Sequence, residues 1–147
     1  MHIATKGSKI DISSERKLED LAKKYAFEVK KGDIFFLLGE MGVGKTTFVK
    51  YLINNLQIKF HQKVTEVNSP TFNIMNEYSI GSLLIKHFDL YRLKSPHELS
   101  DLNIFGNKDE EIIFIEWPQL IEKRSNLIVK LYFEYENDFK NRYVKIK

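Results

Sequence analysis

Residues 39–46 read GEMGVGKT and give the clearest indication of chemistry in this chain. The glycines let the backbone turn tightly, so that successive N–H groups point toward phosphate oxygens. The start of the helix that follows adds the positive end of its dipole at the same point. This segment therefore predicts a loop that binds the phosphates of a nucleotide.

The order of residues within this phosphate loop assigns individual roles. Lys45 is expected to reach the β- and γ-phosphates, the Thr46 hydroxyl to ligate Mg²⁺, and Thr47 to contact the α-phosphate. The predicted cofactor-binding residues are Met41, Gly42, Val43, Gly44, Lys45, Thr46 and Thr47. The alternative is a glycine-rich turn that contains Lys-Thr by chance. It is disfavoured because an apolar strand precedes the segment and an amphipathic helix follows it.

Two acids at the ends of apolar stretches could complete a metal site. Glu116 ends IIFIE, and Asp89 lies in HFDLYR at the end of another predicted strand. Ligands of such folds gather at the carboxyl ends of parallel strands. This places Glu116 near Mg²⁺, with Asp89 beside it if the two strands have the same orientation. The alternatives are acids solvated at the sheet rim, or an ion pair of Asp89 with Arg92. The predicted catalytic residues are Asp89, Lys45 and Glu116, and the predicted metal ligands are Thr46 and Glu116.

The first half of the chain predicts the elements that hold the loop. Ser13 or Ser14 can cap a helix whose apolar residues recur at spacings of three and four: Leu18, Leu21, Ala22, Tyr25 and Ala26. The run IFFLL is apolar on both faces, as an interior parallel strand would be. A second helix starts near Gly44 and buries Phe48, Leu52, Ile53 and Leu56.

The second half of the chain contains more strands than helices. FNIMNEYSI and LLIKHFDLY flank Gly81–Ser82 and predict a hairpin. Ser95 and Pro96 begin a short helix, IIFIE is a strand, and WPQLIEK is a short helix or turn. LIVKLYFEY and RYVKIK form a terminal antiparallel pair. The prediction is a single α/β domain over residues 1–147. Its fold is expected to be a three-layer sandwich like that of P-loop NTPases, with a mixed, mostly parallel central sheet and an antiparallel C-terminal part.

Composition excludes several classes of protein. The net charge is +3, with 23 basic and 20 acidic residues interspersed, so charge alone does not indicate nucleic-acid binding. The chain has no cysteine, which excludes disulfides and thiolate metal sites. The N-terminal residues MHIATKGSKI lack the apolar segment of a secretory signal, and no apolar run approaches the roughly 20 residues of a membrane span. A cytoplasmic protein without membrane association is expected.

The sequence leaves alternatives open for the identity of the nucleotide and for the type of reaction. Residues 107–110 read NKDE, a near match to the guanine-recognition motif, but they precede a strand instead of following one. This favours adenine, with ATP and Mg²⁺ as cofactors, over a GTPase switch. A small-molecule kinase using the same loop is the enzyme-class alternative. It is disfavoured because only one short helix and Arg92 lie between the two acids.

Four motifs in order give the chain a family resemblance: GEMGVGKTT, NSPTF, HFDLYR and IEWP. Together they resemble the bacterial TsaE family, once called YjeE, of ATPases in the tRNA threonylcarbamoyladenosine pathway. The resemblance spans residues 13–147. It implies that Asp89 is needed for activity, that Glu116 is associated with the metal, and that residues 69–71 form a switch loop near the γ-phosphate. Glu40 stands where the family commonly has aspartate.

The resemblance also implies a function and partners. A separate transferase, TsaD, with its partner TsaB, modifies adenosine 37 of tRNA, and ATP hydrolysis by this protein would reset that complex between turnovers. Contact with tRNA would be indirect, and hydrolysis slow without the partners. Arg142 and the turn at Ser13–Ser14 are candidates for the adenine side. His87 is expected to be a structural donor, Trp117 either core or site, and the Phe and Tyr residues of the last strands core.

Overall fold

The computed structural model describes residues 7–122 and 127–147. The strands are β1 (Lys9–Asp11), β2 (Ile34–Leu38), β3 (Met75–Ile80), β4 (Leu83–Asp89), β5 (Ile112–Glu116), β6 (Ile128–Glu136) and β7 (Asn141–Ile146). The α-helices are α1 (Glu15–Glu28), α2 (Lys45–Lys59) and α3 (Pro96–Asp101), and a 3₁₀ turn spans Pro118–Leu120.

One sheet joins the seven strands in the order β1-β7-β6-β2-β5-β4-β3. The four central strands, β6, β2, β5 and β4, are parallel. β3 pairs antiparallel with β4, β7 with β6, and β1 with β7. The predicted α/β fold with a mixed sheet and an antiparallel C-terminal part is confirmed. The sequence pattern did not predict β1, because three residues are too few to show an alternation.

Helices α1 and α2 cover one face of the sheet. The Ser14 side chain accepts a hydrogen bond from the Lys17 N–H and so caps α1, as the sequence predicted. All five apolar residues predicted to share one face of α1 are buried. The Tyr25 ring meets Phe35 and Phe48 edge-on, at 5.7 and 5.9 Å between ring centres. Burial there raises the pKa of Tyr25 to about 12.

A thinner layer covers the opposite face. A smaller apolar cluster there joins Phe36 and Ile115 of the sheet to Ile104 in the segment after α3. Ser95 caps α3 by accepting from the Glu98 N–H, and Pro96 takes the first helical position, as predicted. Residues 107–110 form a turn before β5, in agreement with their interpretation as a polar loop.

The fold brings three strand ends together at one edge of the sheet. β2 ends at Leu38 and leads through residues 39–44 into α2. β4 ends at Asp89 and β5 at Glu116, and these two acids are partners in the parallel ladder. Asp89 therefore has the strand orientation that its predicted role requires. Within the described ranges, no helix has both the length and the apolar character needed to cross a membrane.

Candidate nucleotide-binding site

The phosphate loop requires glycine where it passes closest to its neighbours. Gly39 has a φ of 146°, and a Cβ at that position would lie 2.6 Å from the Phe133 carbonyl oxygen. Gly44, with a φ of 122°, stands immediately before α2 and beside the Arg142 guanidinium. Both positions need a backbone conformation that other residues rarely adopt. The glycines of the motif therefore set the path of the loop between β2 and α2.

Lys45 lies inside the loop, with only 4% of its surface exposed. Its Nζ donates to the Gly39 carbonyl oxygen at 2.5 Å and sits 3.8 Å from the centre of the Trp117 ring. Burial lowers the pKa of Lys45, while the charges of Glu116 and Asp89 act in the opposite direction. The ammonium group thus contacts the Gly39 carbonyl and the Trp117 ring, and it feels the negative charges of two nearby acids.

Glu116 connects α2 to the end of β5. Its Oε2 accepts from the Thr46 hydroxyl at 2.9 Å and lies 2.6 Å from His87 Nε2. His87 is fully buried, and its Nδ1 has no partner among the described residues. Because an ionised Glu116 can only accept, Nε2 carries the proton in this pair. His87 is therefore a structural donor, as expected, and the acid that it orients is the predicted metal ligand.

Asp89 is held by hydroxyl and amide donors. Its Oδ2 accepts from the Thr71 hydroxyl at 2.9 Å and the Ser69 hydroxyl at 3.4 Å, and its Oδ1 accepts from the Tyr91 N–H at 3.0 Å. With 3% of its surface exposed, Asp89 is not an acid solvated at the rim. The alternative of an ion pair with Arg92 is also wrong for the described residues, since the guanidinium lies over the Phe72 ring at 5.2 Å.

Aromatic side chains form the rim of the site. Trp117 has a φ of 57°, in the left-handed region, directly after β5. Its ring centre lies 4.9 Å from that of Tyr91. A cavity of about 250 Å³ opens between this rim and the loop. The cavity is lined by Met41, Gly42, Gly44, Lys45, Thr46, Thr47, Ser69, Thr71, Phe72, Asp89, Tyr91, Glu116 and Trp117.

This cavity brings together eight of the nine residues predicted for the site. Val43 is the exception, because its side chain is buried in the core beneath the loop. A larger hollow of about 610 Å³ is lined by residues such as Phe36 and Tyr132, and it contains none of the predicted residues. The smaller cavity is the better candidate because the loop and both acids line it.

Several contacts of the site were not predicted, among them those of His87 and Tyr135. Successive side chains of a strand point to opposite faces, so His87 in LLIKHFD lies on the same face as Asp89. This alternation could have placed His87 near the site, where it bonds Glu116. The second contact is from the Tyr135 hydroxyl, which donates to the Gly42 carbonyl oxygen at 2.9 Å. No local pattern could have revealed it, because it depends on where β6 lies beside the loop.

The residues present fit a magnesium–nucleotide complex. Mg²⁺ prefers oxygen ligands and is usually held by one or two carboxylates together with substrate phosphates. Thr46 and Glu116 supply a hydroxyl and a carboxylate 2.9 Å apart, and Asp89 is the ladder partner of Glu116. The start of α2 offers backbone N–H groups of the kind that bind phosphates in other proteins.

The strand, loop and helix, with two buried acids at neighbouring strand ends, define a phosphate-loop α/β protein. The chain belongs to the TsaE family, since the family model described as "Threonylcarbamoyl adenosine biosynthesis protein TsaE" matches residues 12–144. The family resemblance seen in the motifs is thereby confirmed.

Individual relatives agree with this assignment. The tRNA threonylcarbamoyladenosine biosynthesis protein TsaE of Rickettsia typhi is 36% identical over 111 residues, covering 76% of this chain and 74% of the relative. The protein of the same name from Haemophilus influenzae is 33% identical over 140 residues, covering 88% and 84%. The crystal structure of Bacillus subtilis YdiB superposes with a TM-score of 0.69 at 25% identity, covering 97% of this chain and 86% of that one. The names of the two TsaE relatives connect the family with tRNA processing.

Proposed function

We propose that this chain binds ATP with Mg²⁺ at the phosphate loop and hydrolyses it in the service of tRNA threonylcarbamoyladenosine modification. The observation that carries the proposal is the bond of 2.9 Å between the Thr46 hydroxyl and the Glu116 carboxylate, next to the buried Lys45. A hydroxyl, a carboxylate and a lysine at one helix start are the groups that hold a metal and phosphates in P-loop proteins.

Each residue of the site has a proposed task. Backbone N–H groups of the loop bind phosphates, and Lys45 exchanges its bond to the Gly39 carbonyl for phosphate oxygens. Thr46 and Glu116 hold Mg²⁺, which when bound neutralises negative charge on the β- and γ-phosphates. His87 keeps the Glu116 carboxylate oriented toward Thr46.

Asp89 is proposed to orient the attacking water. Its carboxylate is buried beside the loop and keeps acceptor capacity beyond its bonds to Thr71, Ser69 and Tyr91. Because Ser69 and Thr71 both donate to it, any movement of this segment changes the surroundings of Asp89. Residues 69–71 thus link the exposed surface to the catalytic centre.

A partner protein is proposed to complete the site. Among the described residues that line the cavity, none is an arginine. In P-loop proteins an arginine supplied by a partner can raise the hydrolysis rate roughly 10³- to 10⁵-fold. The resemblance to the TsaE family points to the TsaD–TsaB transferase complex as this partner, with tRNA contacted through the complex.

The test is steady-state ATP hydrolysis with and without reconstituted TsaD–TsaB, with repeated tRNA modification followed in parallel. We expect slow hydrolysis by the chain alone, acceleration by the complex, and modification beyond one turnover only when all three proteins and ATP are present. Fast hydrolysis that is indifferent to the complex would contradict the proposal. Transfer of labelled phosphate to a small-molecule acceptor would support the kinase alternative instead.

A further inference from the structure

Strand β3 is the last strand of the sheet, and among the described strands it pairs only with β4. The backbone groups of successive residues in a strand face its two sides alternately. The Asp89 N–H donates to the carbonyl oxygen of Ile74, the residue before β3, at 2.9 Å. The even-numbered residues of β3 therefore face β4. The backbone N–H and C=O groups of Met75, Glu77 and Ser79 point away from the sheet.

The segment that follows α2 leaves most of this edge open. Gln62 Nε2 donates to the Ser79 carbonyl oxygen at 3.2 Å, at one end of the strand. Toward the other end, Asn76 Nδ2 donates to the Asn68 carbonyl oxygen at 3.2 Å. Between these contacts, the outward backbone groups of Glu77 have no hydrogen-bond partner in the described part of the chain. An edge with unpaired donors and acceptors is a template on which another strand can pair.

A hollow of about 310 Å³ lies along the same edge. Its lining includes two acids and four other polar residues: Glu66, Glu77, Asn68, Asn73, Asn76 and Ser69. Both acids are exposed, and neither forms an ion pair with another described residue. Their negative charge is complementary to a ligand that carries lysine or arginine side chains.

The hollow also reaches the residues that hold the proposed catalytic acid. Ser69 lines both this hollow and the nucleotide cavity. Its hydroxyl lies 2.7 Å from the Thr71 hydroxyl, and both groups donate to Asp89. The Asn68 carbonyl that Asn76 holds is one residue before Ser69. A ligand on the β3 edge would therefore contact the segment that positions the donors of Asp89.

We propose that an extended, basic segment of a partner protein adds to the edge of β3 as a further strand and so holds Ser69 and Thr71 against Asp89. Strand addition to an exposed edge is a recurrent mode of peptide recognition, in which main-chain hydrogen bonds give affinity. Here the Glu77 backbone supplies these bonds, and the carboxylates of Glu66 and Glu77 select basic side chains. The proposal rests on the ATP hydrolysis proposed above, because the strand acts through Asp89.

The first experiment measures binding of a fluorescent peptide, Lys-Val-Lys-Val-Lys-Val, by anisotropy. Glu77→Pro removes the outward N–H of β3 and leaves the bonds to β4 in place. Peptide binding should weaken about 10-fold, because a hydrogen bond is lost and the proline ring obstructs the edge. Lys9→Pro in β1 is the matched control. β1 is the edge strand at the other end of the sheet, and the Lys9 N–H also faces outward, since the Ser8 carbonyl accepts from β7.

Altered peptides test strand addition and charge without relying on the fold of a variant. Methylation of alternate backbone nitrogens removes donors of the probe and should abolish its binding to the wild type. The corresponding Glu-Val peptide should not bind. The double variant Glu66→Gln, Glu77→Gln should bind the lysine probe more weakly and with less dependence on salt, because screening acts on charges.

The rate of ATP hydrolysis provides the second readout. A saturating probe should raise the rate of the wild type several-fold and leave the rate of Glu77→Pro unchanged. Equal binding to both proteins, binding of the methylated probe, no binding at all, or binding that leaves a measurable rate unchanged would each overturn the proposal. If the chain hydrolyses no ATP with or without the probe and the partner complex, the proposed function fails, while the binding measurements still decide whether a strand adds to β3.

Discussion

The two sides of the phosphate loop are built differently. On the acid side, Glu116 and Asp89 are buried, and the described hydrogen bonds to their carboxylates come from hydroxyl, imidazole and backbone N–H groups. On the opposite side, at the end of β6 and in the turn after it, Phe139 is open to solvent and Tyr135 is half-buried. Burying a charge costs free energy unless the charge is hydrogen-bonded. Few other residues could therefore replace those on the acid side. We therefore expect substitutions of the buried acids to have larger effects on the hydrolysis rate and on metal binding than substitutions of the exposed residues on the opposite side.

The largest effect is expected from Lys45→Ala, because Lys45 lies in the loop between the two sides and is proposed to contact the phosphates directly. A charge-assisted contact contributes roughly 1.5–3 kcal/mol, so ATP should bind about 10- to 100-fold more weakly and hydrolysis should nearly vanish. The exposed Lys24 of α1 gives the control, Lys24→Ala. Calorimetric binding and phosphate release measure the two quantities, and thermal unfolding verifies the fold. Undiminished hydrolysis in a folded Lys45→Ala variant would exclude this site.

Asp89→Asn tests whether the acid side acts on rate. Asparagine keeps the size and can still accept from Thr71, but it lacks the charge that would orient or deprotonate a water. The hydrolysis rate should fall roughly 10²- to 10⁴-fold, the contribution of a general base, with a much smaller change in ATP affinity. The exposed acid Asp101 of α3 provides the control substitution Asp101→Asn. If Asp89→Asn alters affinity but not rate, with or without the partner complex, the division between the two sides is wrong.

His87 offers a sharper test, because it acts on the metal through Glu116. His87→Leu removes the donor, whereas His87→Gln retains an N–H near the position of Nε2. Loss of such a partner typically costs 10- to 100-fold in metal affinity. The Mg²⁺ concentration that half-saturates ATP binding should rise by that factor in His87→Leu and recover in His87→Gln. Equal Mg²⁺ dependence in all three proteins would show that His87 only fills space.

The smallest effect on ATP binding at neutral pH is expected from Tyr25→Phe. This substitution alters the core beneath the phosphate loop and leaves both sides of the loop unchanged. Burial raises the pKa of Tyr25 from 10 in the unfolded chain to about 12 in the folded one. The neutral phenol therefore stabilises the fold below pH 10, and this contribution is lost as the pH rises from 10 toward 12. Chemical unfolding should show a smaller loss of stability over this interval in Tyr25→Phe than in the wild type. Both proteins should bind ATP equally at neutral pH.

The sequence predicted best what depends on local pattern. The loop, both amphipathic helices and the hairpin at Gly81–Ser82 each have a period or a turn signal, and the structure contains all of them. The hairpin pattern was read from Phe72, but β3 begins only at Met75, after Ile74 with its φ of 69°. The Phe and Tyr residues of the last strands were expected to be core, which holds for Phe133, whereas Tyr132, Tyr135 and Tyr143 are only half-buried.

The rest depends on how distant segments lie beside each other. That β6 pairs with β2, and so brings Tyr135 to Gly42, follows from the order of strands, which no local pattern specifies. In the same way, Asp89 could have met a cation, a donor or water. The choice of Thr71 and Ser69 as its donors was settled by the path of a loop.

Because Asp89 pairs with Glu116 in the parallel ladder, the effect of an insertion or deletion depends on the element in which it falls. The distance between the two acids is set by the spacing of neighbouring strands, about 4.8 Å, and not by side-chain choice. A residue inserted in the turn at 107–110 leaves this spacing intact. A single deletion within β4 would turn Asp89 to the opposite face of the sheet, into the apolar cluster around Phe36 and Ile115. Insertions and deletions are therefore expected to be tolerated in the loops. Within β4 and β5 they would disrupt the site, even if all of its residues were retained.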